Sequence, residues 1–310
     1  MPFSWKLQQL AIAVTVAGGL VKDAMARGVK VTVKEGQPGG SHHSIGTEAD
    51  EESQTFLLDQ LRSRFPGAYF IAEEECKGPD LIKNDNLALV KGPGEVLIVD
   101  AVDGTAGAYR GRWDWSVVLN RVENGEHQGG AICAPDVRGG FLVLGAKGDG
   151  VFLRDGVPGS GFQPVRVVER PRQKSTVLFG VDVLKRPQFM RFGNRVANAV
   201  ETVVTAGSCG LGVALVAAGR AEAIVQPHQW PWDWASAEII RAAGGTVQYY
   251  HYRNGTIAAL AEPDLASYHR SNRTTEGGLG FIAGAPELVD WLFERLKATF
   301  VLEGTALPGV

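Results

Sequence analysis

The stretch EVLIVDAVDGT, residues 95–105, constrains the fold more than any other part of the chain. Its run of Val, Leu and Ile is typical of a buried β-strand. The run ends in Asp100 and Asp103, two carboxylates three residues apart, and the Gly-Thr that follows predicts a turn that opens a helix. Such acids either shape the turn and cap the helix or bind a cation, and this segment alone leaves both interpretations open.

Two more segments place an acid beside an apolar strand or helix. Glu73 follows the apolar sequence YFIA, and Asp233 lies at the start of the helix predicted in WPWDWASAEII. Magnesium prefers oxygen ligands, usually a few carboxylates with water and substrate phosphate. Each acid alone is more often structural, and Asp233 suits an ordinary helix N-cap. Taken together, the residues support a cation site and structural roles about equally.

The composition predicts a soluble globular protein with one large domain or two medium ones. The chain has 310 residues, of which 45% are hydrophobic and 21% are charged. Its net charge of -3, with Lys and Arg scattered, argues against a nucleic-acid partner or a basic membrane-binding surface. Three distant cysteines (Cys76, Cys133 and Cys209) predict reduced thiols in a cytoplasmic protein rather than a disulfide framework or a zinc site.

The N-terminal segment WKLQQLAIAVTVAGGLVKDAMA, residues 5–26, supports two interpretations. Apolar residues at spacings of three and four predict an amphipathic helix. A single Lys, an apolar run and then Ala24-Met25-Ala26 loosely resemble a signal peptide. The helix is favoured, and because the apolar run is short we expect no membrane span.

The hydrophobic pattern divides the chain into an α+β half, residues 1–172, and an α/β half, residues 173–310. In the first half, the sequence predicts a Gly-rich loop or hairpin at 29–47, a helix at 49–67 that stops at Pro66-Gly67, and a short strand running into acids at 68–75. A second short strand at 95–100 and an antiparallel meander at 113–153 follow. In the second half, predicted strands and helices alternate. An Asn-Gly turn at Asn254-Gly255 and a final helix opened near Pro286 complete it.

The segments YFIAEEE, VLIVDAVDGT and WPWDWASAEIIRAAGG resemble, in order and spacing, the three metal-site motifs of the inositol monophosphatase family. That family shares a superfamily with fructose-1,6-bisphosphatases and bisphosphate nucleotidases, and its motifs read G-E-E, D-P-[IL]-D-G-T and W-D-x-A-A-G. The segments GTEADEESQTF and CGLGVALVAAGRAEAIV are also similar to the family's pattern, so the resemblance spans about residues 10 to 295. It implies an α/β fold with a layered αβαβα sandwich.

The resemblance also implies a metal site. Glu73, Asp100 and the carbonyl of Val102 would hold one Mg²⁺. Asp100, Asp103 and Asp233 would hold a second. Two or three ions are expected in all, with Mn²⁺ as a substitute, and Li⁺ is expected to inhibit.

Further roles follow from the same resemblance. The backbone N–H groups of Gly104 and Thr105 would bind phosphate. The Thr105 hydroxyl, linked to Asp50, and the Glu73 carboxylate would orient the attacking water. The substrate pocket is expected to include Gly207, Ser208, Cys209 and Gln226, although Cys209 is equally well explained as a small core residue.

Several positions depart from the family's pattern. Ala101 stands where Pro is usual, and the aromatic Tyr109 comes one residue late. Gln226 occupies the position of an acid that contacts inositol hydroxyls. A role for His42 and His43 in metal binding, or for Arg110 and Arg112 in binding a second phosphate, is less favoured than a plain structural role.

The sequence therefore predicts a Mg²⁺-dependent phosphatase that acts on a small phosphorylated polyol, sugar or related metabolite. The first alternative is a 3'(2'),5'-bisphosphate nucleotidase or a fructose-1,6-bisphosphatase-like sugar bisphosphatase. The second is a catalytically idle binding or regulatory member, which the intact ligand set disfavours. The resemblance also implies a homodimer, and we expect no nucleic-acid or membrane partner.

Overall fold

The computed structural model describes residues 3–34, 44–74, 78–82, 90–156, 159–180, 183, 187–227, 230–253, 255–262 and 277–304. The elements up to residue 165 are, in chain order, α1 (Trp5–Arg27), β1 (Val31–Lys34), β2 (Ser44–Thr47), α2 (Glu48–Arg64), β3 (Tyr69–Ala72), β4 (Glu95–Asp103), α3 (Thr105–Tyr109), β5 (Ser116–Glu123), β6 (Glu126–Ala134), β7 (Phe141–Ala146), β8 (Gly150–Asp155) and β9 (Gln163–Val165). After a 3-10 turn at Arg172–Lys174 come β10 (Thr176–Gly180), α4 (Pro187–Ala197), β11 (Thr202–Ala206), α5 (Cys209–Ala217), β12 (Ala223–Gln226), α6 (Pro231–Ala242), β13 (Thr246–Arg253), β14 (Thr256–Leu260), β15 (Gly277–Gly284) and α7 (Pro286–Gly304).

Two sheets alternate with three layers of helix. Helices α1 and α2 pack on the outer face of the sheet formed by β3 to β9. Helices α5 and α6 fill the space between the two sheets, where they contact β5, β6 and β7 on one side and β12, β13 and β15 on the other. Helices α4 and α7 cover the outer face of the second sheet. The predicted layered αβαβα sandwich of the α/β class is confirmed.

The two sheets differ in how their strands run. The first has the order β3-β4-β5-β6-β7-β8-β9 and is antiparallel except for the β3–β4 pair, so the predicted meander is confirmed. The second has the order β11-β10-β12-β15-β13-β14, with β11, β10 and β12 parallel and the other pairs antiparallel. The chain passes from one sheet to the other between β9 and β10. Because α5 and α6 pack on both sheets, division into halves at residue 172 stays a prediction.

Strands β11 and β15 were not predicted from the sequence. Strand β15 reads GGLGFIAG, and Gly is depleted in strands because it contributes no side-chain packing. Its place between β12 and β13 explains these residues. A Cβ at Gly280 would lie 2.5 Å from Cζ of Tyr250, so the packed ring leaves no room for a side chain.

Helix α1 buries one apolar face and exposes another. Leu10, Val14 and Val21 are buried against α2 and the first sheet, whereas Ile12 and Val16 are exposed. By length and composition α1 is also a helix that could cross a membrane, so the absence of a membrane span stays a prediction. The buried face is what a core helix of a globular protein shows, which favours the predicted amphipathic helix.

The Gly-rich segment before α2 was expected to be a loop or hairpin. Strands β1 and β2 pair antiparallel there, which confirms a hairpin. His42 and His43 fall between these strands and lie outside the described residues, as does Cys76.

Candidate active site

Strand β4 ends in an irregularity that separates its two acids. The pairing of β4 with β5 shifts register between Asp100 and Asp103, and the backbone N–H of Val102 donates to Asp100 Oδ1 at 3.1 Å. Gly104 then adopts a left-handed conformation with φ of 90°, and α3 begins at Thr105. Gly suits this position because it adopts positive φ without strain. The predicted helix after the Gly-Thr pair is confirmed, although it is only five residues long.

The start of α5 holds the Asp103 carboxylate. Ser208 Oγ donates to Asp103 Oδ2 at 2.6 Å, and the backbone N–H of Gly210 donates to the same oxygen at 2.5 Å. Cys209 N–H donates to Oδ1 at 3.3 Å, and Ser116 Oγ lies 3.3 Å from Oδ2. Unsatisfied N–H groups at a helix N-terminus favour a nearby anion. Asp103 belongs to the first sheet, but its carboxylate is held in place by residues of α5, which lies in the second half of the chain.

Four carboxylates influence one another electrostatically at this place. Burial raises the pKa of Asp100 well above its usual range, and the neighbouring charges of Glu73, Asp103 and Asp233 raise it further. Burial also raises the pKa of Asp103 to about 6, although its hydrogen bonds from α5 oppose the rise. Buried like charges disfavour the ionised form unless a cation compensates for them. The fold therefore brings together the acids that the three sequence segments supply.

These acids are not arranged as a finished set of metal ligands. Among the described residues, no three His, Cys, Asp or Glu side chains form a group positioned to hold a metal ion. The four carboxylates influence one another's charge without forming such a group, because charge interactions reach further than coordination bonds of 2.0–2.6 Å. Asp103 and Asp233 are each engaged by hydrogen bonds from the protein. The carboxylate donors and the burial of Asp100 and Asp103 fit a divalent cation, but side-chain adjustment is required for all four acids to ligate.

A polar stripe on the buried face of α2 anchors the acidic segments. Gln54, which is 2% exposed, donates from Nε2 to the carbonyl of Glu74 at 3.0 Å and accepts from the N–H of Glu74 at 2.9 Å. The adjacent Ser53, also buried, donates from Oγ to the carbonyl of Ala101 at 3.3 Å. Asp50, also buried, precedes Ser53 by three residues and Gln54 by four, so all three lie on the same face of α2. Sequence reasoning missed Ser53 and Gln54, and polar residues on the apolar face of DEESQTFLLDQL were the signal that could have found them.

Asp50 is joined to the turn that follows β4. Thr105 Oγ1 donates to Asp50 Oδ1 at 2.8 Å and lies 3.0 Å from the carbonyl oxygen of Val102. Asp50 Oδ2 accepts from the backbone N–H of Thr47 at 2.9 Å and from its hydroxyl at 2.5 Å. The link between Thr105 and Asp50 expected from the resemblance is present in the structure.

Helix α6 begins earlier than expected, so Asp233 lies within its first turn. Helix α6 begins at Pro231 with Trp230 as its N-cap, so Asp233 is the third helical residue and not the cap itself. Its Oδ2 accepts from the backbone N–H of Trp230 at 2.8 Å. The prediction of an ordinary N-cap was therefore wrong in position, because Pro at the first helical residue moved the start of the helix.

Cys209 and Gln226 lie beside Asp233. Burial raises the pKa of the Cys209 thiol well above its ordinary range, the charges of Asp233 and Asp103 raise it further, and a hydrogen bond with Gln226 opposes the rise. Cys209 also belongs to the core between the sheets, as the structural alternative for it predicted. Gln226 is 8% exposed at the end of β12, and its hydrogen bond with Cys209 links it to the surroundings of Asp233.

The model of the inositol monophosphatase family matches residues 6–276. The chain belongs to the inositol monophosphatase family. A protein named fructose-1,6-bisphosphatase/inositol-1-monophosphatase from Thermotoga maritima is 30% identical over 204 residues, 66% of this chain and 70% of that protein. A histidinol-phosphatase from Chlorobaculum parvum is 29% identical over 213 residues, 68% of this chain and 74% of that protein. The extragenic suppressor protein suhB from Bartonella henselae has a TM-score of 0.71 at 21% identity, over 95% of this chain and 99% of that structure, which shows a shared fold.

The departures from the pattern of the inositol monophosphatase family have structural counterparts. Ala101 is 1% exposed, and the bond from Ser53 to its carbonyl oxygen restrains the turn that Pro would otherwise stiffen. Ser208 is fully buried, and its hydroxyl is occupied by Asp103 and by the N–H of Leu211. The predicted substrate contacts of Gly207, Ser208, Cys209 and Gln226 stay predictions.

The two arginines after the Gly-Thr turn have different surroundings. Arg112 forms an ion pair with Asp114, so its guanidinium is already engaged. Arg110 is exposed at the end of α3. The pairing of Arg112 supports the structural role that the sequence analysis favoured for it.

Proposed function

We propose that the chain is a Mg²⁺-dependent phosphatase that hydrolyses a small phosphate monoester. The observation that carries this proposal is the convergence of Glu73, Asp103 and Asp233 on the buried Asp100 carboxylate. These acids come from β4, from the end of β3 and from α6, three segments far apart in sequence. A fold that collects carboxylates from three segments around a buried acid is suited to a cation.

The proposed ligands are Glu73, Asp100, Asp103, Asp233 and the carbonyl oxygen of Val102. When bound, divalent cations supply the positive charge that activates water and stabilises a leaving alkoxide. The oxygen-only donor set favours Mg²⁺ or Mn²⁺ over softer metals. The hydrogen bonds from α5 to Asp103 would hold that ligand in place while the others adjust.

The protein's own residues prepare the water for attack. Thr105 donates its only hydroxyl proton to Asp50, so its oxygen is left as an acceptor for one O–H of a water molecule. The Glu73 carboxylate provides a second acceptor. As the water oxygen bonds to phosphorus and the bond to the alcohol breaks, the water proton passes to Glu73 or through Thr105 to Asp50. The alcohol then takes a proton from solvent.

The turn after β4 is the proposed phosphate cradle. The positive φ of Gly104 directs the chain into α3 at Thr105, and successive backbone N–H groups at such a turn bind anions. Their place next to the acids brings the phosphate and the activated water together, which an in-line displacement requires.

The substrate class follows from the residues near Asp233. The Gln226 amide can hydrogen-bond a hydroxyl group without adding charge, which suits a sugar or polyol phosphate. The names of the Thermotoga and Chlorobaculum relatives extend the range to sugar bisphosphates and amino-alcohol phosphates. We therefore propose a small phosphorylated metabolite, with an inositol phosphate as the first compound to assay.

The test is phosphate release from a panel of monoesters and bisphosphates by purified protein with Mg²⁺, with EDTA and with added Li⁺. We expect turnover of at least one monoester, its loss in EDTA and its inhibition by Li⁺. Asp103→Asn should abolish turnover. Failure of every substrate with either Mg²⁺ or Mn²⁺ would remove the enzyme proposal and leave the catalytically idle member as the explanation.

A second candidate is a sugar bisphosphatase or bisphosphate nucleotidase. The name and 30% identity of the Thermotoga relative favour the first of these. A second phosphate needs an available cationic partner. Arg112 is already paired with Asp114, so the exposed Arg110 is the arginine of the two that this candidate would use. A higher kcat/KM for a bisphosphate than for the matched monophosphate would decide for this candidate.

A homodimer in the cytoplasm completes the proposal. Tyr109 and Trp113, close to the proposed cradle, are 47% and 55% exposed, and exposed aromatic residues are common at protein interfaces. Cys133 and Cys209 are buried free thiols, which suits a reducing compartment. Light scattering on the wild type and on Trp113→Glu tests the dimer, since the added charge should dissociate it.

A further inference from the structure

Asp114 is a buried acid that the proposed chemistry does not use. It lies between α3 and β5 and is 3% exposed. Its Oδ2 accepts from the backbone N–H of Gly207 at 3.1 Å and pairs with Arg112. Its Oδ1 is buried and has no hydrogen-bond partner in the described part of the chain.

Three glycines are packed closely around Asp114. A Cβ at Gly107 would lie 2.9 Å from Oδ1, and one at Gly207 would lie 2.6 Å from Oδ2. A Cβ at Gly104 would lie 2.9 Å from the Asp114 carbonyl oxygen. Real Cβ atoms do not approach other atoms this closely, so the side chain and backbone of Asp114 require Gly at all three positions.

Stability does not explain why an acid occupies this position. A buried carboxylate oxygen without a partner costs free energy, because it loses its hydration and gains no hydrogen bond. The pairing with Arg112 returns little, since the Arg112 side chain is 55% exposed and water screens the interaction. A function in placing the surrounding backbone is the remaining explanation.

The backbone that contacts Asp114 belongs to two parts of the candidate active site. Gly104 is the N-cap of α3 and Gly107 lies within that helix, so both adjoin the proposed phosphate cradle at Thr105. Gly207 immediately precedes Ser208, which donates to the Asp103 carboxylate. Asp114 is thus in contact with both the cradle and the segment that holds Asp103.

We propose that Asp114 is a positioning residue that fixes the turn at Gly104 and the start of α5 relative to each other. The position of the Asp103 carboxylate then depends on Asp114 through Gly207 and Ser208. The catalytic consequence rests on the proposed function, whereas the positioning of the backbone can be measured without it.

Hydrogen exchange of the backbone amides in the full-length, metal-free protein tests the proposal. In Asp114→Ala, we expect amides of residues 104–108 and 207–211 to exchange at least tenfold faster, while those of β7 stay within twofold of wild type. Asp114→Asn keeps an acceptor for the Gly207 N–H and should show less than a threefold change. Arg112→Ala, the matched control, removes only the exposed partner and should match wild type.

Unchanged exchange in the two segments, or equal acceleration throughout the chain, would overturn the proposal. If Asp114→Ala does not fold, Gly207→Ala provides the same test from the other side, because its Cβ would press on Asp114 Oδ2. In the phosphatase assay, Asp114→Ala should lower kcat about tenfold with less than a threefold change in KM. If the wild type hydrolyses no phosphate ester, the proposed function fails, and the exchange result still decides the role of Asp114.

Discussion

Replacing Asp103 by Asn should change how the stability of the metal-free protein depends on pH. Burial raises the pKa of this carboxyl from an ordinary 3.8 to about 6. The unfolded chain ionises at the lower value, so the folded state binds the proton more tightly. Stability from this group is therefore present in full below about pH 4 and is lost as pH rises through 6.

The size of the effect follows from the same values. A rise in pKa from 3.8 to about 6 corresponds to at most about 3 kcal/mol of the free energy of unfolding. Asn does not ionise and avoids this loss. It has one acceptor oxygen for Ser208 and Gly210, so its NH₂ group faces the N–H of Cys209 without an acceptor, at a cost of about 1–3 kcal/mol. The variant should be less stable than wild type at pH 4.5 and equal or more stable at pH 8.

Urea unfolding followed by tryptophan fluorescence in EDTA, at pH 4.5, 6 and 8, measures the difference. Asp59→Asn is the control, because the Asp59 side chain is 67% exposed, and its curve should follow that of wild type. Adding Mg²⁺ at pH 8 should stabilise wild type more than Asp103→Asn, since a ligand that binds the folded state raises its stability. Curves for wild type and Asp103→Asn that stay parallel across this pH range would refute the reasoning.

Substitutions at four other positions give separate outcomes. Gln54→Ala should destabilise by about 2–3 kcal/mol in urea unfolding and lower activity, because it removes both bonds to the Glu74 backbone; exposed Thr55→Ala is its control. Gly210→Ala should destabilise by about 1–3 kcal/mol, since its Cβ would lie 2.8 Å from Ser116 Oγ. Gly19→Ala should instead stabilise by about 0.4–1 kcal/mol, because the space around Gly19 in α1 is open. Thr105→Val should lower kcat at least about 100-fold and Thr105→Ser much less, as only the first removes the hydroxyl that donates to Asp50.

Each of these has a result that would contradict it. Wild-type stability in Gln54→Ala would mean that water satisfies the Glu74 backbone equally well. A Gly210→Ala variant as stable as wild type would mean that α5 moves away from β5 at no cost. Equal kcat in Thr105→Val and wild type would remove the hydroxyl from the proposed mechanism.

The sequence by itself determined most of the helices and strands and the chemistry of the acids. Strands such as β4 and helices such as α2 are predicted by the hydrophobic periodicity of their own residues. Asp100, Asp103 and Glu73 stand at the ends of apolar runs in the sequence. These features are local, because hydrophobic period and turn residues act over a few neighbouring positions.

The tertiary structure alone decided what surrounds those acids. Gln54 contacts Glu74 across 20 positions, Asp114 contacts Gly207 across 93, and Ser208 contacts Asp103 across 105. No local pattern encodes such contacts, since they depend on how α2, α5 and the first sheet pack together. For the same reason the Gly-rich β15 was missed, because its Gly residues fit the neighbouring strands and not the propensity of their own segment.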